Sequence, residues 1–176
     1  IRGIDLDVSP LIQLRFPCRL GPDPRGIPCG GDYPRFLRAA YDNNVGTGWN
    51  LFSAKSGTTL DALSTIERGA IYDALLDPGV IDIRMQYPMY DARKLAKYIA
   101  DPALRIPRQL VPTLDLVLTR LSPEADCGYR FEAVSVKPFS ELGSEKVRRR
   151  MKREQDFCDQ QGWKWYVYTE REHSKQ

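Results

Sequence analysis

Histidine is almost absent from this chain of 176 residues. The single histidine, His173, lies in the polar sequence Glu170–Ser174, so the interior has no imidazole for a catalytic triad or a histidine-rich metal site. The four cysteines form no CxxC pair and no zinc-ligand spacing, which excludes a cysteine-based zinc site. We expect these cysteines to be free thiols in a reducing compartment.

Long apolar runs and nucleotide-binding loops are also missing from the sequence. No apolar stretch approaches the ~18–20 residues that span a bilayer, and Ile1–Asp5 has no sign of a secretory signal. Neither GxxxxGK(S/T) nor GxGxxG occurs at a strand–helix junction, so no phosphate-binding loop is predicted. We therefore expect a soluble, cytoplasmic protein without a membrane partner, whose chemistry depends on acidic residues, lysine and a metal.

The composition predicts one globular domain with an extension. Hydrophobic residues make up 42% of the chain, and its 26 Lys and Arg against 23 Asp and Glu give a formal net charge of only +3. Residues 1–57 contain clusters of glycine and proline that are typical of turns. We interpret them as an irregular N-terminal extension and a candidate docking segment for a partner. Residues 58–176 form the predicted domain.

Hydrophobic periodicity divides the chain into helices and strands. The predicted helices are a short one around Tyr33–Tyr41, then Thr59–Leu76, Ala92–Ile99 and residues 144–161, the last beginning at an N-cap and closed by a glycine. The predicted strands are Val80–Tyr87, Thr113–Arg120, Tyr129–Lys137 and Trp163–Thr169. The main elements follow the order helix, strand, strand, strand, helix, strand, which indicates an α/β fold.

Two glutamates lie on helix faces that are otherwise apolar. Glu67 falls within an arc of roughly 80° on the first long helix, together with Leu60, Leu63, Ile71 and Ala74. Glu154 falls within an arc of roughly 60° on the last helix, together with Val147, Met151 and Cys158. A buried carboxylate without a partner is costly, so each acid is either part of a structural salt bridge or part of a functional site.

Two charged residues on the strands favour the functional interpretation. Asp115 interrupts an apolar strand in which aspartate has poor propensity, and Lys137 ends the next strand just before a proline. Each also has a structural explanation, a strand end for Asp115 and a solvent-reaching side chain for Lys137. Together with Glu67, however, they form a coherent set. Two carboxylates can hold Mg²⁺, and a neighbouring lysine can position a water or stabilise charge on a phosphate, as metal-assisted phosphodiester hydrolysis requires.

This set, in this order of elements, resembles the PD-(D/E)xK nuclease superfamily, and within it the TnsA-like endonuclease subunits of cut-and-paste transposases. The resemblance covers about residues 59–170. It is carried by these segments: Ile66–Arg68, Leu75–Pro88 (LLDPGVIDIRMQYP), Pro112–Asp115, Val134–Pro138 (VSVKP), Arg153–Cys158, Gly162–Trp165 (GWKW) and Thr169–Glu170.

The resemblance implies a restriction-endonuclease-like αβββαβ core, a mixed sheet flanked by helices. It implies three metal ligands: Glu67, Asp115 and the main-chain carbonyl of Val136. Lys137 would be the catalytic lysine, and the cofactor would be Mg²⁺, with Mn²⁺ as a substitute. Ser135 stands where the family usually has Glu, Asp or Gln, and Glu154 matches a helix acid near the site.

The resemblance also implies DNA as the substrate and other proteins as partners. The family cuts the 5′ ends of a transposon beside a TnsB-like DDE transposase, and a TnsC-like AAA+ regulator couples the pair to target choice. A strongly basic run on the last helix would contact DNA phosphates: Lys146, Arg148, Arg149, Arg150, Lys152 and Arg153. The alternative for such a run is a solvated helix face.

Two other functions stay open. One is a restriction-type or junction-resolving nuclease of the same superfamily, which would cut duplex DNA without partners. The other is a catalytically decayed scaffold of a transposition complex, because the Ser135 hydroxyl is a poorer cation ligand than a carboxylate.

Overall fold

A mixed four-stranded sheet is the centre of the part of the chain that the structure, a computed structural model, describes: residues 16–34, 48–89, 101 and 111–173. Its strands are β3 (Val80–Pro88), β4 (Thr113–Leu121), β5 (Tyr129–Val136) and β6 (Lys164–Tyr168), in the order β3-β4-β5-β6. The other elements are β1 (Trp49–Ser53), β2 (Thr58–Ala62), α1 (Thr65–Leu76), α2 (Glu145–Gln161), α3 (Glu170–His173) and the 3₁₀ turns Gly30–Asp32 and Phe139–Glu141.

The sheet is antiparallel from β3 to β5 and parallel between β5 and β6. The parallel pair needs a crossover connection, and α2 provides it. Helix α1 packs on one face through Ala70, Ile71 and Ala74, and α2 packs on the other face, where Cys158 joins a cluster around Trp163. The prediction of an α/β fold with a restriction-endonuclease-like core is confirmed.

The predicted helix Thr59–Leu76 is wrong over its first residues. Thr58–Ala62 is instead strand β2, which pairs antiparallel with β1, and α1 begins only at Thr65. The Ser64 hydroxyl accepts a hydrogen bond from the main-chain N–H of Glu67 (3.1 Å), and the spacing S-x-x-E is a helix-start signature. The remaining predicted strands and the last helix agree with the structure to within about two residues at each end.

Strand β3 is an edge of the four-stranded sheet, and the hairpin β1–β2 and the segment of residues 16–34 contact this edge. The Ser56 hydroxyl donates to the main-chain oxygen of Ile83 (3.1 Å) and accepts from its N–H (2.9 Å). The Tyr33 hydroxyl donates to the main-chain oxygen of Met85 (3.0 Å). An edge strand presents unpaired main-chain groups, and these side chains satisfy part of them.

A buried ionic network joins the same segment to β3. Arg84, which is fully buried, donates to Asp23 (2.7 Å), and the Tyr87 hydroxyl donates to the same carboxylate oxygen (2.5 Å). Burial alone would raise the pKa of Asp23, but hydrogen bonds from Tyr87, Ile27 and Arg84 lower it. The described parts of residues 1–57 are therefore built into the domain, and the boundary predicted after residue 57 falls in the turn of a hairpin.

Some predictions fall outside the described residues. The helix Ala92–Ile99 lies there, as does most of the short helix around Tyr33–Tyr41. Among the helices that the structure does describe, none combines the length and apolar character that crossing a bilayer requires.

Lys55, in the turn of the hairpin, caps the C-terminal end of α1. Its ammonium donates to the main-chain oxygens of Ala74 (3.0 Å) and Asp77, where the helix leaves carbonyl groups without intrahelical partners. We expect Lys55→Met to lower the free energy of unfolding by about 1.5–3 kcal/mol, since hydrogen bonds to a charged group are lost. Urea denaturation checks this, with the exposed Lys164→Met as control; equal stability of the two variants would contradict the capping role.

Candidate active site

Glu67 lies in the first turn of α1 and points toward the sheet. Its Oε2 accepts a hydrogen bond from the main-chain N–H of Leu63 (2.8 Å), and only 8% of the residue is exposed. The burial confirms that Glu67 faces inward with Ile71 and Ala74, although Leu60 and Leu63 do not belong to the helix. This hydrogen bond satisfies a main-chain N–H at the start of α1, and it also holds the Glu67 carboxylate in place.

The electrostatic environment of Glu67 is unusual for a glutamate. Burial, and then the nearby charge of Asp115, raise its pKa from 4.5 to about 7, while Lys137 and Arg150 act in the opposite direction. Glu67 is therefore close enough to these three charged groups to be affected by each of them. Burial is the larger cause, because it disfavours the charged form of the carboxyl group, and the negative charge of Asp115 adds to it.

Asp115, the third residue of the antiparallel strand β4, is buried and accepts three hydrogen bonds. Its Oδ2 accepts from the main-chain N–H of Val136 (2.7 Å) and from the ammonium of Lys137 (2.6 Å). Its Oδ1 accepts from Nη2 of Arg150 (3.0 Å). The carboxylate is thus bound by two cations of the protein itself, one from β5 and one from α2.

Lys137 follows the last residue of β5, and only 5% of it is exposed. Its ammonium also donates to the main-chain oxygen of Val136 (2.9 Å), and its own N–H donates to the main-chain oxygen of Tyr168 on β6 (3.0 Å). The solvent-reaching alternative for Lys137 is therefore wrong. The structure brings together three of the groups named from the sequence and the resemblance: Asp115, Lys137 and the Val136 carbonyl.

Two more predicted residues lie beside this group and carry oxygens without hydrogen-bond partners. Ser135 is fully buried on β5 and its hydroxyl has no partner among the described residues. Glu154 is fully buried on α2; its Oε1 accepts from Nε of Arg150 (2.7 Å), whereas its Oε2 has no partner. Buried polar atoms without partners are uncommon in proteins and need an explanation, such as a water or an ion.

The donor set fits a magnesium ion. Within the described residues no group of three or more His, Cys, Asp and Glu side chains is placed to hold a metal. Mg²⁺, however, keeps several waters and is usually bound by one or two carboxylates plus oxygens of its substrate. Glu67, Asp115 and the Val136 carbonyl would supply that number of hard oxygen ligands.

Helix α2 places the six basic residues of the run on two of its sides. Four of them line an open groove of about 430 Å³, together with Glu145: Lys146, Arg149, Arg150 and Arg153. The other two, Arg148 and Lys152, do not line it, and Lys152 pairs with Asp156 (2.6 Å). Arg150 belongs to both the groove and the carboxylate cluster, because it lines the groove and donates to Asp115.

Sequence reasoning missed two features of this site. Arg150 was predicted only as a phosphate contact, and its bond to Asp115 joins residues that are 35 positions apart. Its bond to Glu154 had a signal, because an arginine four residues before a glutamate lies next to it on a helix. The S-x-x-E spacing that ends in Glu67 was a second unused signal.

The raised pKa of Glu67 predicts a pH-dependent cost to stability. Its pKa is higher in the folded protein than the ordinary 4.5, so without a cation the wild type loses stability as pH rises from 4.5 towards about 7. Glu67→Gln retains an oxygen for the Leu63 N–H and does not titrate. We expect the variant to match the wild type at pH 4 and to exceed its free energy of unfolding at pH 8 by on the order of 3 kcal/mol.

Urea unfolding at both pH values in a chelator measures this difference. Glu141→Gln, at an exposed glutamate, is the control. A constant difference between Glu67→Gln and the wild type from pH 4 to pH 8 would contradict the raised pKa.

Two comparisons with known proteins found similarities to this chain. The family model described as TnsA-like endonuclease N terminal matches residues 77–170, more than half of the chain. The matched range includes Asp115, Lys137 and Arg150, but not Glu67. The chain is also 27% identical over 152 residues to a protein of Escherichia coli, the transposon Tn7 transposition protein TnsA. The alignment covers 84% of this chain and 54% of that relative, so the chain spans about half of the relative's length.

Proposed function

The chain belongs to the TnsA-like endonuclease family, and on that basis we propose that it nicks the 5′ ends of a transposon in a Mg²⁺-dependent reaction. The observation that supports this most is the cluster at the ends of β4 and β5. There the carboxylate of Asp115, the Val136 carbonyl and the ammonium of Lys137 meet within hydrogen-bonding distance. Glu67 on α1 adds a second carboxylate, whose pKa is raised by burial and by the charge of Asp115.

Each side chain has a distinct part in this proposal. Glu67, Asp115 and the Val136 carbonyl would hold the cation, whose Lewis acidity would stabilise charge on the phosphate. The Lys137 ammonium is fixed by Asp115 and Val136, so it presents its charge without reorganisation where the phosphate charge builds up. The groove of basic residues on α2 would hold the DNA backbone through sequence-independent, salt-sensitive contacts.

Specificity would come from a partner. The groove is lined by four basic side chains on one helix, and phosphate contacts carry no sequence information. We propose that a TnsB-like DDE transposase supplies recognition of the ends, with a TnsC-like AAA+ regulator as a further partner. The isolated chain would then bind DNA weakly and cut it slowly.

A strand-resolved nicking assay tests the function. Duplexes that contain a transposon end, labelled on either strand, are incubated with the chain, with and without the transposase, over a titration of Mg²⁺ or Mn²⁺ and with a chelator control. We expect a cut at the 5′ end that needs both the cation and the transposase. Efficient cutting of plain duplex without a partner would favour the restriction-type alternative. No cutting in a fully assembled complex would favour the scaffold alternative.

The docking role of the N-terminal segment needs a narrower test than removal of residues 1–57. Such a deletion would also remove Asp23, Tyr33, Lys55 and Ser56, whose contacts hold β3 and α1. Deletion of residues 1–15 alone leaves those contacts in place. If these residues dock the partner, the deletion lowers transposase-stimulated nicking and leaves the stability of the domain unchanged. Full stimulation of the shortened chain would refute the docking role of residues 1–15.

A further inference from the structure

The two oxygens of Asp115 are held in different ways. Oδ2 accepts from two donors of the β5 end, the Val136 N–H and the Lys137 ammonium, at 2.7 and 2.6 Å. Oδ1 accepts from one donor only, Nη2 of Arg150, at 3.0 Å. The Lys137 side chain is 7% exposed and that of Arg150 is 43% exposed. The Arg150 contact is therefore the longest of the three, and it comes from the more exposed of the two charged donors.

Arg150 has an anchor that does not depend on Asp115. Its Nε donates to Oε1 of Glu154 at 2.7 Å. Glu154 is fully buried, and Arg150 is the partner that balances its charge. An unpaired buried carboxylate is costly, so Arg150 is held on Glu154. The guanidinium carries five N–H donors, so Nε can stay bonded to Glu154 while an outer nitrogen donates to a different acceptor.

Arg150 also lines the groove on α2 with Lys146, Arg149 and Arg153. A single guanidinium thus joins the carboxylate that would hold the cation to the surface that would hold the DNA backbone. Guanidinium groups bind phosphate oxygens well, since two N–H groups can donate in parallel.

We propose that Arg150 is an exchangeable counterion that couples cation binding to DNA binding. Before a cation is present, Nη2 neutralises Oδ1 of Asp115. When a divalent cation is bound at Asp115, Nη2 of Arg150 would release Oδ1, and the guanidinium, still bonded to Glu154 through Nε, would donate to a phosphate oxygen of the DNA strand instead. The inference rests on the proposed function for the identity of the cation and the substrate. Its consequence is reciprocal: the cation strengthens DNA binding, and DNA strengthens cation binding.

The first experiment measures Mn²⁺ affinity without DNA, by titration calorimetry. Arg150→Met alone would leave Glu154 as an unpaired buried charge, so the comparison is made between Glu154→Gln and the double variant Arg150→Met/Glu154→Gln. Removing Arg150 on this background removes the competitor for Oδ1. We expect the double variant to bind Mn²⁺ about tenfold more tightly, which corresponds to about 1.4 kcal/mol at 25 °C.

A purely structural role of Arg150 predicts the opposite result. If Arg150 only held Asp115 in place, its loss would leave Mn²⁺ affinity unchanged or weaken it, and either result would overturn the proposal. Lys152→Met removes the same charge from the other side of α2, where Lys152 pairs with Asp156. We expect it to change Mn²⁺ affinity by less than about twofold, since an exposed charge acts through a screened field. Arg150→Gln/Glu154→Gln is the second variant should the methionine version fail to fold.

The second experiment measures the affinity for a labelled duplex by fluorescence anisotropy, with Ca²⁺ and with a chelator. Ca²⁺ takes oxygen ligands as Mg²⁺ does, and a denaturing gel verifies that the DNA stays intact. Addition of Ca²⁺ should lower the Kd for DNA in both variants. We expect the factor by which it falls to be about ten times larger for Glu154→Gln than for the double variant. An equal effect of Ca²⁺ on both variants would overturn the transfer of Arg150 to DNA. The Mn²⁺ result does not depend on cleavage, so a failure of the proposed function is distinguishable from a failure of this coupling.

Discussion

Asp115→Asn is expected to abolish strand cleavage, with a loss of rate on the order of 10³ or more. Asparagine has the same shape as aspartate and retains an oxygen for the Val136 N–H, but it removes the negative charge that would hold the cation. Cleavage is measured in single-turnover reactions at transposon ends, with saturating transposase and Mg²⁺. Asp159→Asn, at an exposed aspartate of α2, removes an equal charge away from the cluster and should cut normally.

The same substitution should also lower stability, because Lys137 loses its buried counterion. The Lys137 and Asp115 side chains are 7% and 6% exposed, and breaking a buried pair by removing one partner costs about 3 kcal/mol. Thermal unfolding followed by circular dichroism measures this cost and sets the temperature at which the variant is still folded. A folded Asp115→Asn protein that cuts at the wild-type rate would rule out Asp115 as a metal ligand.

The sheet and its last helix could be predicted from the sequence because their patterns are strong and local. Strand β3 alternates apolar and polar residues from Ile81 to Tyr87, directly after the turn residues Asp77–Pro78–Gly79, and this alternation is the period of a strand. Helix α2 ends at Gly162, whose φ of 68° is the left-handed conformation that glycine adopts readily. Asp115 and Lys137 were recognisable for the same reason, since each is a charged residue on an apolar strand.

The hairpin could not be predicted because its evidence is not local. Leu60 and Leu63 happen to lie at helical spacing from Glu67, so periodicity extended the helix backwards through a five-residue strand. Thr58–Ala62 is a strand because it pairs with Trp49–Ser53. Trp49–Ser53 lies within residues 1–57, which contain clusters of glycine and proline, so that segment was predicted to be part of an irregular extension. Tertiary pairing of this kind overrides local propensity.

The role of Arg150 was hidden in a different way. In the sequence it is one of six basic residues in an eight-residue run. Glu154, four positions later, sets it apart from Arg148 and Arg149, but that spacing gives no sign of a contact with Asp115. That contact comes from the packing of α2 on the sheet, which brings Arg150 to Asp115 and leaves Arg149 exposed and paired with Glu145. Equal charges in one run thus have unequal surroundings.

Lys137→Met is expected to lower the single-turnover rate by about 10²–10³ while the affinity for DNA stays within about threefold. The ammonium is buried and bonded to Asp115 and the Val136 carbonyl, so it contributes little to the exposed surface that attracts DNA. Its effect should therefore fall on the transition state rather than on binding. The rate is measured at saturating DNA and the affinity by anisotropy, with the exposed Lys164→Met as the matched control.

Comparison with Asp115→Asn separates catalysis from folding. Loss of Lys137 leaves Asp115 with the Val136 N–H and Arg150 as partners. Loss of the Asp115 charge instead takes the paired carboxylate from the Lys137 ammonium and leaves it the Val136 carbonyl as acceptor. Lys137→Met should therefore destabilise the protein less than Asp115→Asn, although both variants lose cleavage. If Lys137→Met instead weakens DNA binding and retains single-turnover cleavage, Lys137 is a phosphate contact and the catalytic assignment is wrong.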